Sequence, residues 1–123
     1  KRRTKARVYL HSCGSIYALI PDLIEIGVDI LNPVQVNAAE MDSARLKKEF
    51  GDRLCFWGGI DIQHVLPRGS ADDIRAEVRE AVRTLGRNGG FVLGPAHNVQ
   101  SDVPPENLLL MVKAAAEESA HGG

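Results

Sequence analysis

The sequence predicts an α/β protein built on a parallel sheet. Four short apolar runs, at 7–10, 28–31, 54–57 and 91–94, are each followed by a stretch with helical spacing, so that βα repeats four times along the chain. Strands that alternate with helices pair in parallel through crossover connections, and the runs are too short and too apolar for edge hairpins. The order of elements suits either an open doubly wound sheet or a segment of a (β/α)₈ barrel.

Each element has a local reason. Ile16, Leu19, Ile20, Leu23 and Ile24 recur on one helical face, with Pro21 in the first turn and Gly27 as the stop. A second helix over 42–50 takes Asp42 or Ser43 as its cap and Gly51 as its end. Ser70 and Asp73 form an acidic capping box ahead of the stripe Ile74, Val78, Ala81, Val82 and Leu85. The alternating Asp, Arg and Glu of that helix predict a solvated outer face. Pro104 and Pro105 open the last helix, where a missing amide proton costs little. Leu108, Leu109, Met111, Val112 and Ala115 form its apolar face. One domain is expected over 1–123, with a basic lead-in at 1–6 and a frayed tail at 119–123.

Composition narrows the function classes. A formal charge of −1 over 123 residues, with 5% aromatic residues, supplies neither the field nor the stacking surfaces that nucleic acid needs, so no nucleic-acid partner is expected. No apolar run approaches the roughly 20 residues that span a bilayer, so no membrane partner is expected. Two cysteines without a secretory apolar stretch predict reduced thiols and a cytoplasmic setting. A chain starting at Lys1 is expected to be an excerpt of something longer. No phosphate-binding glycine fingerprint is present, which weakens a dinucleotide-binding reading.

The chemistry gathers where strands end. On an extended segment, side chains two apart point the same way, so His11 and Cys13 can converge on one point as two of the three protein ligands of a catalytic zinc. His97, after the turn Gly94-Pro95-Ala96, stands in an equivalent place as the third. Asn32 and Gln35 follow the second strand, Asp61 the third and Asn98 the fourth; these four are the expected contacts to a small-molecule substrate. In parallel α/β folds, strand C-termini open on one side, so the clusters share a rim. Plainer readings stand beside these. His11 could be a hydrogen-bonded wall residue, Cys13 a small buried hydrophobe, and Asp61 a general base, an anchor or a helix cap. Cys55 reads as inert core and His64 as a surface residue. Gly58 and Gly59 allow close approach of a ligand or a tight turn.

Four motifs in order, His11-Ser12-Cys13-Gly14, Gly27 to Asn32, Trp57-Gly58-Gly59-Ile60-Asp61, and Gly94 to Asn98 followed by Pro104-Pro105-Glu106-Asn107, resemble the C-terminal part of the uroporphyrinogen decarboxylase superfamily. The resemblance covers the chain from about Ala6 to Glu118. It implies the last four units of a (β/α)₈ TIM barrel, and an enzyme when the barrel is complete. One branch decarboxylates a tetrapyrrole without metal or cofactor. The other, the cobamide-dependent methyltransferases, uses zinc to activate a thiol that takes a methyl group from a corrinoid. There the ligands are a His-x-Cys pair and a later cysteine. This chain matches the pair at His11 and Cys13 and carries His97 at the later position, a replacement that zinc accepts. His97 also matches a decarboxylase histidine near the tetrapyrrole, which makes it the expected catalytic position. The decarboxylases lack the pair, so zinc-dependent methyl transfer to a thiol is the first expectation and tetrapyrrole decarboxylation the second. A third is a non-catalytic fragment or assembly module. Half a barrel leaves a sheet face and two edges bare, so homodimerisation or a missing N-terminal half-barrel is expected, with a corrinoid protein as a further partner.

Overall fold

The computed structural model describes residues 4–121, so Lys1 to Arg3 of the lead-in and the last two residues of the tail lie outside the described residues. Four strands, β1 (Tyr9–His11), β2 (Ile30–Val34), β3 (Cys55–Ile60) and β4 (Phe91–Pro95), form one parallel sheet in the order β1-β2-β3-β4. That order runs with the chain and never reverses. A doubly wound sheet reverses its strand order at a switch point, so the observed order is that of a barrel segment.

Helices follow each strand: α1 (Ile20–Glu25), α2 (Ser43–Phe50), α3 (Val65–Arg68), α4 (Ala71–Thr84) and α5 (Pro105–His121). The first stretch is shorter than its spacing predicts. It begins as a 3-10 turn at Tyr17–Leu19, with Pro21 in the first turn of the helix proper, and ends where Gly27, at φ +100°, lets Val28 N–H reach Leu23 O at 2.9 Å. Asp42, not Ser43, caps α2 by accepting from Arg45 N–H at 2.8 Å. The capping box of α4 is complete: Ser70 Oγ accepts from Asp73 N–H and Asp73 Oδ2 from Ser70 N–H. Such a cap contributes about 1 kcal/mol. α3 is one turn, too short for a periodicity to announce it, and α5 continues as helix through Ser119 to His121.

All helices pack on one face of the sheet. Leu10, Leu31 and Phe56 lie in register across β1, β2 and β3 and pack, with Leu31 and Phe56 fully buried, against Ile20, Leu46, Phe50 and Leu85. A second cluster joins Ile60 to Leu66, Ile74, Val78 and Met111. The other face is bare, with Tyr9 47%, Trp57 37% and Val92 39% exposed. Tyr9 and Trp57 meet edge to face there, their ring centroids 5.5 Å apart. Gly58 and Gly59 sit inside β3 at φ +114° and +89°, where a side chain is strained. A Cβ at Gly58 would stand 3.2 Å from Val34 N, and one at Gly59 3.3 Å from Leu85 Cδ1. The glycine pair therefore serves close passage of β2 and α4, rather than a tight turn.

Beneath the end of β3, α4 supplies Glu77, whose Oε1 accepts from Asp61 N–H at 2.8 Å while its buried Oε2 has no partner among the described residues. Burial pushes this carboxyl up from its ordinary range, the Asp61 N–H offsets part of that, and the nearby Asp61 charge adds to it. Between the ordinary and the raised value the folded state holds more protons than the unfolded one, so stability falls as pH rises. Glu77→Gln keeps the acceptor and removes the titration. Thermal melts of the two proteins are expected to agree below the ordinary carboxylate range and to diverge in favour of Glu77→Gln as pH rises through the raised one. A constant difference across pH would show that Glu77 pays no such penalty.

Candidate metal centre

The centre is assembled from the last residue of β1, the turn after it and the loop after β4. His11 ends β1 and sits opposite Asn32 in the parallel register. Asn32 is 8% exposed, and a buried amide needs partners. Its backbone carbonyl accepts from Ser12 N–H at 2.7 Å, and its Oδ1 lies 2.7 Å from His11 Nδ1. Since Oδ1 can only accept, Nδ1 carries the proton and Nε2 is left as the lone-pair donor. Nε2 faces Cys13 Sγ at 3.5 Å.

Gln35 holds the turn that carries Cys13, its Oε1 accepting from Gly14 N–H at 2.9 Å, and Ser15 Oγ donates to Ala39 O at 2.6 Å. The turn of Cys13 is thereby held by the segment that follows β2. Across the rim, Ala96 N–H is bound to Ile60 O at 2.8 Å, which anchors the loop bearing His97. The rings of His11 and His97 stand 6.0 Å apart at 73°. The ligand atoms of His11, Cys13 and His97 all lie within 4.8 Å of one another, and all three residues are exposed on the open side.

One of these distances already suits zinc. Zn–S and Zn–N bonds of roughly 2.3 and 2.0 Å at a tetrahedral angle hold sulfur and nitrogen about 3.5 Å apart. The Sγ to Nε2 separation of 3.5 Å is one such edge already in place. Two imidazoles and a thiolate make a three-ligand set that leaves a fourth position for a reacting group.

The remaining predicted residues divide between support and lining. Asn32 and Gln35, expected to touch substrate, are engaged in holding His11 and Gly14. Asp61 closes the turn ahead of α3: Oδ1 accepts from Gln63 N–H at 2.5 Å and His64 N–H at 3.1 Å, and Oδ2 lies 3.0 Å from His64 Nδ1. Asn98 lies beside His97 in a depression of about 310 Å³, whose walls include Tyr9 and Trp57. A cleft of about 380 Å³ flanks His97 on its other side, with Gln35, Asp61 and Asp102 in its wall. Tyr9 and Asp102 were not singled out by sequence reasoning, and Trp57 only as part of a motif. Tyr9 could have been, because it stands two residues before His11 and so shares its face. Cys55 is half-buried and burial raises its thiol pKa, in keeping with an inert position. Among the described residues no helix is long and apolar enough to cross a membrane.

The uroporphyrinogen decarboxylase (URO-D) family model matches residues 1–118. A uroporphyrinogen decarboxylase of Chlorobium phaeobacteroides is 31% identical over 119 residues, covering 94% of this chain and 31% of the relative. A methylcobamide:CoM methyltransferase, MtaA, of Methanosarcina barkeri is 33% identical over 109 residues, covering 88% and 30%. Among solved structures, a methyltransferase from Methanosarcina mazei superposes with a TM-score of 0.74 at 25% identity, over 92% of this chain and 32% of that one. The chain thus spans about a third of the length of the relatives it matches. With a family model over nearly its whole length and the same arrangement of strands and helices as a solved relative, the chain belongs to the uroporphyrinogen decarboxylase family.

Proposed function

We propose that the chain is the C-terminal part of an enzyme that transfers a methyl group to a thiol, with zinc held by His11, Cys13 and His97. The observation that carries this reading is the 3.5 Å approach of Cys13 Sγ to His11 Nε2 with His97 in the same cluster. Similarity to a methylcobamide:CoM methyltransferase supports the same reading, and a corrinoid is the methyl donor that this similarity suggests.

Zinc bound there would lower the pKa of an acceptor thiol and keep its thiolate available near pH 7. The residues of this chain do the rest. Asn32 orients the His11 ring through Nδ1, and Gln35 holds the turn of Cys13. The acceptor would give up its S–H proton to solvent as it binds, and its sulfur lone pair would form the S–CH₃ bond as the donor–CH₃ bond breaks, with that electron pair staying on the donor. Decarboxylation remains the second reading, supported by the similarity to uroporphyrinogen decarboxylases and by the exposed place of His97 at the rim.

Metal analysis of the complete protein is expected to find about one zinc per chain, lost together with methyl transfer in Cys13→Ala. Asn32→Ala is expected to weaken zinc binding by about 10- to 100-fold, the usual cost of removing a partner that orients a ligand. A metal-free protein with full activity would overturn the zinc reading and favour decarboxylation.

The bare face and the free edges of β1 and β4 also suggest a partner for this half of the barrel, either preceding βα units or a second copy. Sedimentation of the 123-residue chain alone is expected to show self-association. A stable monomer would count against it.

A further inference from the structure

We propose that the segment 97–102 is a flap that the metal pins through His97, so that the ion shapes the cavities on both sides of the site as well as activating a thiol. This rests on the zinc reading, because His97 is the link between the ion and the segment.

The three ligands are held unequally. His11 closes β1 with its Nδ1 2.7 Å from Asn32 Oδ1, and the turn of Cys13 is tied to the segment after β2 through Gly14 N–H and Ser15 Oγ. This pair already stands one tetrahedral edge apart, at 3.5 Å. His97 has no such support. A ligating imidazole is ordinarily oriented through its second ring nitrogen, yet among the described residues neither nitrogen of His97 makes a hydrogen bond.

The chain around His97 is equally free. Ala96 and Val103 are buried, at 5% and 6% exposure, while every residue between them is exposed. Ala96 N–H is bound to Ile60 O, and Val103 belongs to the core cluster of Ile60, so the segment is anchored at both ends. Inside it, Gln100 Nε2 donates to Asn98 O at 3.1 Å, and Gln100 O accepts from Val103 N–H at 3.2 Å. Among the described residues no hydrogen bond or ion pair joins 97–102 to the chain beyond these anchors. A stretch without buried side chains or backbone partners opens at little cost. An ion that gains a nitrogen ligand only in the closed arrangement shifts the population toward closure by the free energy of that bond. His97, Asn98 and Val99 wall the depression of about 310 Å³, and His97, Gln100 and Asp102 the cleft of about 380 Å³. One pinned segment therefore gives both cavities their form.

The test is limited proteolysis of the complete protein by elastase, which cuts after small aliphatic residues such as Val99, with Zn²⁺ as the only addition and the cuts mapped by mass spectrometry. Cleavage within 97–102 tracks the population of the open flap. Bound zinc, verified by metal analysis, is expected to slow that cleavage about tenfold in wild type and to leave it unchanged in His97→Ala, with cuts elsewhere as the reference. If wild type holds zinc without protection, or His97→Ala holds zinc and is protected equally, the proposal is overturned and the zinc reading stands. If wild type holds no zinc, both fall. Where His97→Ala releases its zinc, His97→Cys, which returns a ligand to the position, decides: restored protection sustains the flap, and its absence overturns it.

Discussion

The hydrogen bond between His11 Nδ1 and Asn32 Oδ1 is the contact on which the candidate site depends. It exists because β1 and β2 run parallel in a register that sets the two residues side by side, and because Asn32 is buried where its amide must find a partner. A shift of one residue would turn His11 to the helix side, where Leu10 now packs. Leu10 opposes such a slip, since it would leave its packing against the core. Chemistry at the rim is thus secured by packing on the opposite face.

That division of labour runs through the molecule. One side of the sheet carries the core and all the helices; the other carries the ligand cluster and the Tyr9–Trp57 pair. Glycines inside β3 let β2 and α4 approach without side chains between them, and Glu77 joins the end of β3 to α4. Polar groups are not scattered over this end. Each buried or half-buried one near the cluster either holds a loop or orients a ligand, as Gln35, Asn32 and Asp61 do.

Local signals carried most of the architecture. The α4 capping box and stripe lie within sixteen residues of chain, and no distant contact is needed to see them. Strand lengths were harder. β2 and β3 run on to Val34 and Ile60 because partner strands supply hydrogen bonds that apolar runs do not reveal, and so Asn32, Gly58 and Gly59 lie within strands rather than after them. His11 and Cys13 were legible from a period of two, and His97 from its place after an equivalent strand. The cleft was not, since Asn37 comes from one loop and Gln100 and Asp102 from another, and their meeting depends on tertiary packing. The role of Asn32 needed the register between two strands, which a single sequence does not display.

Trp57 is the chain's one tryptophan, and it stands on the face that the rest of a barrel would cover, its ring against Tyr9 and its Nε1 beside Gly94. Indole emission moves to shorter wavelength when water leaves its surroundings. The molecule therefore carries a native optical reporter on that face, one that would register its covering with no label attached.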